Sequence, residues 1–205
     1  MNRLPTYIDL TMPVNAHLPV YPGDAAPLIK EIITQDKKCT IYQTDFTLNS
    51  HTGTHIDAPW HMVKNGKKLK DFPLETFIGE AILLNCVGQE ELCANVNEVK
   101  RGDIVLLRTD HSKKFMQSDY FTNNPIVSEE LATALVEKHI NILGIDSFSP
   151  DNSPYDVHKI LFDHDILSLE NLVNLDKINS KRFKLYVLPL KLENDGAPCR
   201  VIAEI

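Results

Sequence analysis

The chain has no apolar run near the length of a membrane span, and its opening MNRLPTYIDL carries no secretory h-region. It is short of positive charge. The 21 Lys and Arg against 28 Asp and Glu leave a net −7, the wrong sign for a nucleic-acid or anionic-membrane surface. Cysteine is scarce and scattered: Cys39, Cys86, Cys93 and Cys199 form no CxxC pair, so neither a zinc knuckle nor a disulfide framework is indicated. The four are expected as buried small hydrophobes in a reducing cytoplasm. GxSxG, GxxxxGK[ST] and GxGxxG are all missing, which leaves serine-hydrolase, nucleotide and dinucleotide readings without their motifs. There is no internal repeat, low-complexity tract or linker.

What is present suits one domain over residues 1–205, because 43% hydrophobic content at this length can bury a full core. The runs 77-FIGEAILLNC-86, 103-DIVLLRT-109, 140-INILGID-146 and 183-FKLYVLPLKL-192 are short, apolar and β-rich, which predicts buried strands. The stretch 40-TIYQTDFTLN-49 alternates, with Tyr42, Thr44, Phe46 and Leu48 on one side, and reads as a half-buried strand. Ser128 followed by Glu129 and Glu130, then Leu131, Ala134, Leu135 and Lys138, predicts a helix with a serine N-cap and acids at the positive end of its dipole. A second helix is expected over 155–163, with Val157, Ile160 and Leu161 facing the core. The proline-rich 13-PVNAHLPVYPGDAAP-27 reads as an ordered loop. These elements make an α/β (α+β) domain around a mixed sheet.

One segment carries chemistry. The stretch 50-SHTGTHIDAPWHMVKNG-66 crowds His51, His55, Asp57 and His61 into eleven residues. Imidazole nitrogen and carboxylate oxygen are the usual ligands of Zn²⁺ and its transition-series neighbours. The four share odd parity, so an extended chain would point them to one face. An ideal strand would still separate His51 from His55 by ~13 Å, too far for one ion with ligands at ~2 Å. The chain must therefore curl, and Gly53 is the residue best able to supply the backbone angles; a short helical turn would serve as well. The spacing is not that of HExxH, so the helical metalloprotease reading fails. His17, His111, His139 and His164 stand singly and read as surface or satisfied core residues.

HTGTHIDAPWH resembles the HxGTHxDxPxH signature of the metal-dependent cyclase family, which includes bacterial kynurenine formamidases. The segments 9-DLTMPVNAHLPVYPGD-24, 74-LETFIGEAILL-84, 105-VLLRT-109, 144-GIDSFSPD-151 and 188-LPLKLENDGAPCR-200 also resemble family blocks, so the likeness covers nearly the whole chain. It implies the family fold, a barrel-like mixed sheet with flanking helices. It implies two divalent metal ions, Zn²⁺ before Mn²⁺, with His51, His55 and Asp57 on one, Asp57 bridging, and His158 with Glu170 on the other. The same resemblance casts His61 as the catalytic acid/base and Tyr21 as a substrate contact, where several relatives carry tryptophan. Trp60 is either a pocket wall or a packing residue.

The activity so implied is hydrolysis of an amide by metal-bound hydroxide, with N-formylkynurenine as substrate and kynurenine and formate as products, a step of tryptophan catabolism. The alternatives are a family hydrolase acting on a cyclic, isatin-like amide or another acyl compound and, more distantly, a non-catalytic metal-binding module. The resemblance also implies a homodimer or homotetramer acting on a small molecule; the net charge speaks against nucleic-acid and membrane partners, and the scattered cysteines fit a cytoplasmic location.

Overall fold

Strand alternation sets the architecture. In the computed structural model, which describes residues 5–205, the chain forms strands β1 (Tyr7–Asp9), β2 (Leu28–Gln35), β3 (Thr40–Thr47), β4 (His55–Asp57), β5 (Ile78–Asn85) and β6 (Glu91–Leu92). There follow β7 (Ile104–Arg108), β8 (Ile126–Val127), helix α1 (Glu129–Glu137), β9 (Ile142–Ile145), helix α2 (Asp156–Phe162), β10 (Leu167–Glu170), β11 (Arg182–Pro189) and β12 (Gly196–Glu204). Seven strands run in the order β12-β11-β5-β7-β9-β10-β4, and β4 pairs back onto β12 to close a mixed barrel. β1 adds to the far end of β12, and β6 pairs with β8 in a short parallel ladder.

Period two then sorts the side chains into two cores. The barrel interior is filled from all seven strands, by Ile56, Ala81, Ile104, Leu106, Ile142, Leu167, Leu169, Phe183, Leu185, Val187, Ala197, Val201 and their neighbours. The intervening residues Ile82, Val105, Leu107, Leu143 and Ile145 face outward and are covered by Leu131 and Leu135 of α1 and Val157 and Leu161 of α2. Ser128 caps α1 by accepting from the Leu131 N–H at 3.1 Å, an interaction of about 1 kcal/mol. The expected strands and both helices are present within one or two residues of their predicted bounds, except that β11 ends at Pro189, three residues short of the predicted Leu192. Among the described residues, no helix is long and apolar enough to cross a membrane.

Two expectations fail. Residues 40–47 do form a strand, but β3 pairs only with β2, and every residue in it is exposed. The alternation there reflects a two-stranded arm standing off the barrel, not a face turned to the core. Nor are all four cysteines buried: Cys86 and Cys199 are, whereas Cys39, in the turn between β2 and β3, and Cys93 are exposed.

Candidate metal centre

β4 is only three residues long, yet it holds the site because it is flanked on both sides. Against β10 its register sets His55 opposite Glu170 and Asp57 opposite Ser168; against β12 it sets His55 opposite Pro198 and Asp57 opposite Gly196. Ile56 points into the barrel, so His55 and Asp57 point out through the wall, beside Glu170. The preceding turn brings His51 back toward them. Gly53 makes that turn with φ +64°, a conformation that a residue with a Cβ adopts only at a cost. Pro59–His61 is a single 3-10 turn that returns His61 to the same side. α2 packs on β10 and delivers His158 from above.

The donor atoms converge in two overlapping groups. One ligand atom each from His51, Asp57 and His61 lie within 4.8 Å of one another, as do those of His55, Asp57 and Glu170. Asp57 belongs to both. His158 Nε2 lies 3.1 Å from Glu170 Oε1, which Ser168 Oγ also approaches at 2.9 Å. His158 and Glu170 are thus buried beside the cluster and not surface residues. This grouping puts His61 among the donors next to His51, and His55 with Glu170.

Burial of so many polar groups demands a charge balance. His55 Nδ1 donates to the Gly53 carbonyl at 2.8 Å, which turns Nε2 toward Asp57 Oδ2 at 3.5 Å and Glu170 Oε2 at 3.6 Å. An imidazole lone pair facing two carboxylates is repulsive unless a proton or a metal ion stands between them. Asp57 Oδ1 is buried and, among the described residues, has no hydrogen-bond donor. His51 Nδ1 is 2.8 Å away, close enough by distance but off the line of a hydrogen bond. A buried carboxylate oxygen without a donor, amid imidazoles, fits a divalent ion.

The proton affinities tell the same story. Burial works against a charge on His51, but Asp57 and Asp195 outweigh it and push the pKa up to about 9. His158 is likewise opposed by burial yet driven to about 10 by Asp151 and Glu170. His55 is raised by Asp57 and Glu170 against its burial. Burial would lift the Asp57 carboxyl, but His55 and His51 hold it well below the usual range. Of the four imidazoles in this cluster His61 is the one that moves down: burial, aided by His51 and His158, outweighs the pull of Asp57 and Glu170.

Two residues in this constellation were not singled out from the sequence. Asp195 Oδ2 meets His51 Nε2 at 2.9 Å, accepts from Ser50 Oγ at 3.1 Å and lies 3.5 Å from His61 Nδ1. Gly196 leaves room for Asp57: a Cβ there would sit 2.7 Å from Asp57 Oδ1 and 2.8 Å from the Ile56 carbonyl. Both fall in the closing block 188–200, and only the β12–β4 pairing makes them neighbours of the histidine segment.

The donors line a cavity of about 250 Å³. Aromatic rings also line it: Tyr21, Phe115, Phe121, Phe148 and Tyr155. Tyr21 meets Phe121 edge-on at 6.0 Å and Phe148 at 5.7 Å. Trp60 does not line this cavity; it is 43% exposed, with Lys68 Nζ 3.9 Å above its ring.

Comparison with known proteins agrees with this geometry. The family model described as putative cyclase matches residues 8–152. The kynurenine formamidases of Bacillus cytotoxicus and Bacillus anthracis are 33% and 32% identical over 96% of both chains. Among solved structures, a predicted metal-dependent hydrolase from Bacillus stearothermophilus has a TM-score of 0.81 at 28% identity, covering 98% of this chain and 99% of that one. Isatin hydrolase A from Labrenzia aggregata, bound to benzyl benzoate, has a TM-score of 0.83 at 26% identity, covering 98% and 94%. Fold and site define a metal-dependent hydrolase. The chain belongs to the cyclase family.

Gly196→Ala will force its methyl group against Asp57 and the β4 backbone. We expect a loss of roughly 1–3 kcal/mol of stability, read as a lowered midpoint in urea unfolding. An unchanged midpoint would contradict the close approach of β12 to Asp57.

Proposed function

We propose that this protein hydrolyses a small aryl amide, with N-formylkynurenine the foremost substrate, and that two divalent ions are its cofactors. The observation that carries the reading is one cavity lined both by the buried donors centred on Asp57 and by aromatic rings. An apolar cavity of about 150 Å³ accommodates benzene, so one of about 250 Å³ has room for a single ring with a short substituent. Relatives at 32–33% identity over nearly the full length are named for the formamidase reaction.

We assign His51, His55, Asp57, His158 and Glu170 as metal ligands, with Asp57 shared, since a carboxylate has two oxygens and an imidazole binds through one nitrogen at a time. Divalent ions held there supply Lewis acidity and lower the pKa of water to roughly 7. The residues do the rest. Burial lowers the pKa of His61, which favours its neutral, proton-accepting form, and the ring stands at the cavity wall. It takes the proton from the attacking water as the carbon–oxygen bond forms, and returns it to the departing nitrogen as the carbon–nitrogen bond breaks. Formate and an aromatic amine leave. Tyr21, beside Phe121 and Phe148, stacks on the substrate ring.

A second reading is hydrolysis of a cyclic aryl amide, which the isatin hydrolase neighbour at 26% identity favours. Both reactions break an amide next to an aromatic ring, so the same pocket suits either. Metal-reconstituted protein assayed against N-formylkynurenine and isatin separates them.

We further propose that the protein is a cytoplasmic homo-oligomer, a dimer or tetramer, joined through the β2–β3 arm. Ile33, Tyr42 and Phe46, which the register places on one face of the arm, are each more than half exposed. A lone two-stranded hairpin is marginal in water, and an apolar patch of this kind marks an interface. The same arm of a second copy offers a matching surface.

In metal-reconstituted protein, His61→Ala should keep its bound metal and lose roughly a hundred- to ten-thousandfold in turnover, whereas Asp57→Ala should lose metal by elemental analysis. Normal turnover in the first, or full metal content in the second, would contradict these roles. Paired Tyr42→Asp and Phe46→Asp should shift the protein from oligomer to monomer in light scattering. A wild-type protein already monomeric at tens of micromolar would contradict the oligomer.

A further inference from the structure

Asp151 sits behind His158, on the side away from Glu170. It is 4% exposed, and both of its carboxylate oxygens are taken by the same residue. Oδ2 accepts the His158 backbone N–H at 3.1 Å, and Oδ1 meets the ring Nδ1 at 2.5 Å. With the backbone and one ring nitrogen both fixed, the ring has a single orientation, and its other nitrogen, Nε2, faces Glu170 Oε1. Ser149 Oγ donates to the Asp151 backbone carbonyl at 2.7 Å, which anchors the loop carrying the carboxylate.

We propose that Asp151 is a positioning residue that selects the tautomer of His158, holding the ring proton on Nδ1 so that the Nε2 lone pair is offered to an ion shared with Glu170. The inference rests on the assignment of His158 and Glu170 as a ligand pair. A carboxylate behind a metal-bound imidazole both orients the ring and raises its basicity. The competing role is mechanical: Asp151 accepts a backbone N–H in the first turn of α2 and would serve as a helix cap and nothing more.

The two roles predict opposite rankings for two variants. In Asp151→Asn the amide has one acceptor where two donors wait. Its oxygen takes the backbone N–H, which cannot rearrange, and its NH₂ then faces Nδ1. The ring answers by moving its proton to Nε2, where Glu170 accepts it. The fold is retained, but the lone pair is turned away from the ion. In Asp151→Ala the cap is lost altogether, while the ring remains free to choose either tautomer.

The test is calorimetric titration of Zn²⁺ or Mn²⁺ into chelator-stripped wild type and both variants, with thermal unfolding of each metal-free protein. We expect the melting temperature to fall in the order wild type, Asn, Ala. We expect affinity for an ion at His158 and Glu170 to fall in the order wild type, Ala, Asn, with the Asn variant weakened roughly ten- to a hundredfold. Wild type that binds no second ion would remove the ligand assignment and this inference with it. If wild type binds two ions and the affinities follow the melting temperatures, or the Asn variant binds as tightly as wild type, Asp151 is a cap and the inference falls alone.

Discussion

The structure depends on one buried carboxylate. Asp57 is fixed on a three-residue strand that closes the barrel, with its side chain in the wall and Oδ1 without a donor. A buried, unpaired carboxylate costs several kcal/mol, and the surrounding architecture answers that cost with positive charge. His51 and His55 approach from the same segment, while Glu170 and His158 extend the cluster on the far side. In the metal-free protein protons meet the demand, which is why three imidazoles have raised proton affinities. A field that holds several protons in so small a volume suits a divalent cation, whose binding would release protons.

The barrel makes this possible by being rigid where the site is. His55 and Glu170 come together through register and not through loop conformation, because β4 and β10 are hydrogen-bonded neighbours. Ile56 and Leu169 secure the same two strands from inside. Ligands mounted on strands with a packed core behind them hold their geometry better than ligands on loops. His61 and Tyr21 stand on less regular elements: His61 on a 3-10 turn, and Tyr21 on the long connection between β1 and β2.

The sequence disclosed this site unevenly, for physical reasons. His51, His55, Asp57 and His61 are local, and Gly53 announced the bend that gathers them; its positive φ is the predicted feature. His158 and Glu170 are about a hundred residues away, and neither periodicity nor composition would have found them without a family resemblance. Asp195, Gly196 and Asp151 went unassigned although their segments resemble family blocks, because a carboxylate or glycine gains meaning only from the strand or ring opposite it. The β2–β3 alternation was read as strand correctly and as half-buried wrongly. Period two reports an amphipathic ribbon, but it is silent on whether the apolar side is covered by the same chain.

The most direct test of the account is anomalous diffraction from crystals grown with excess manganese or zinc. If the residues hold divalent ions as proposed, anomalous density will lie beside Asp57, within ligand reach of His55 or Glu170. Crystals that diffract well, hold the metal in their mother liquor, and show no anomalous density beside Asp57 would contradict it.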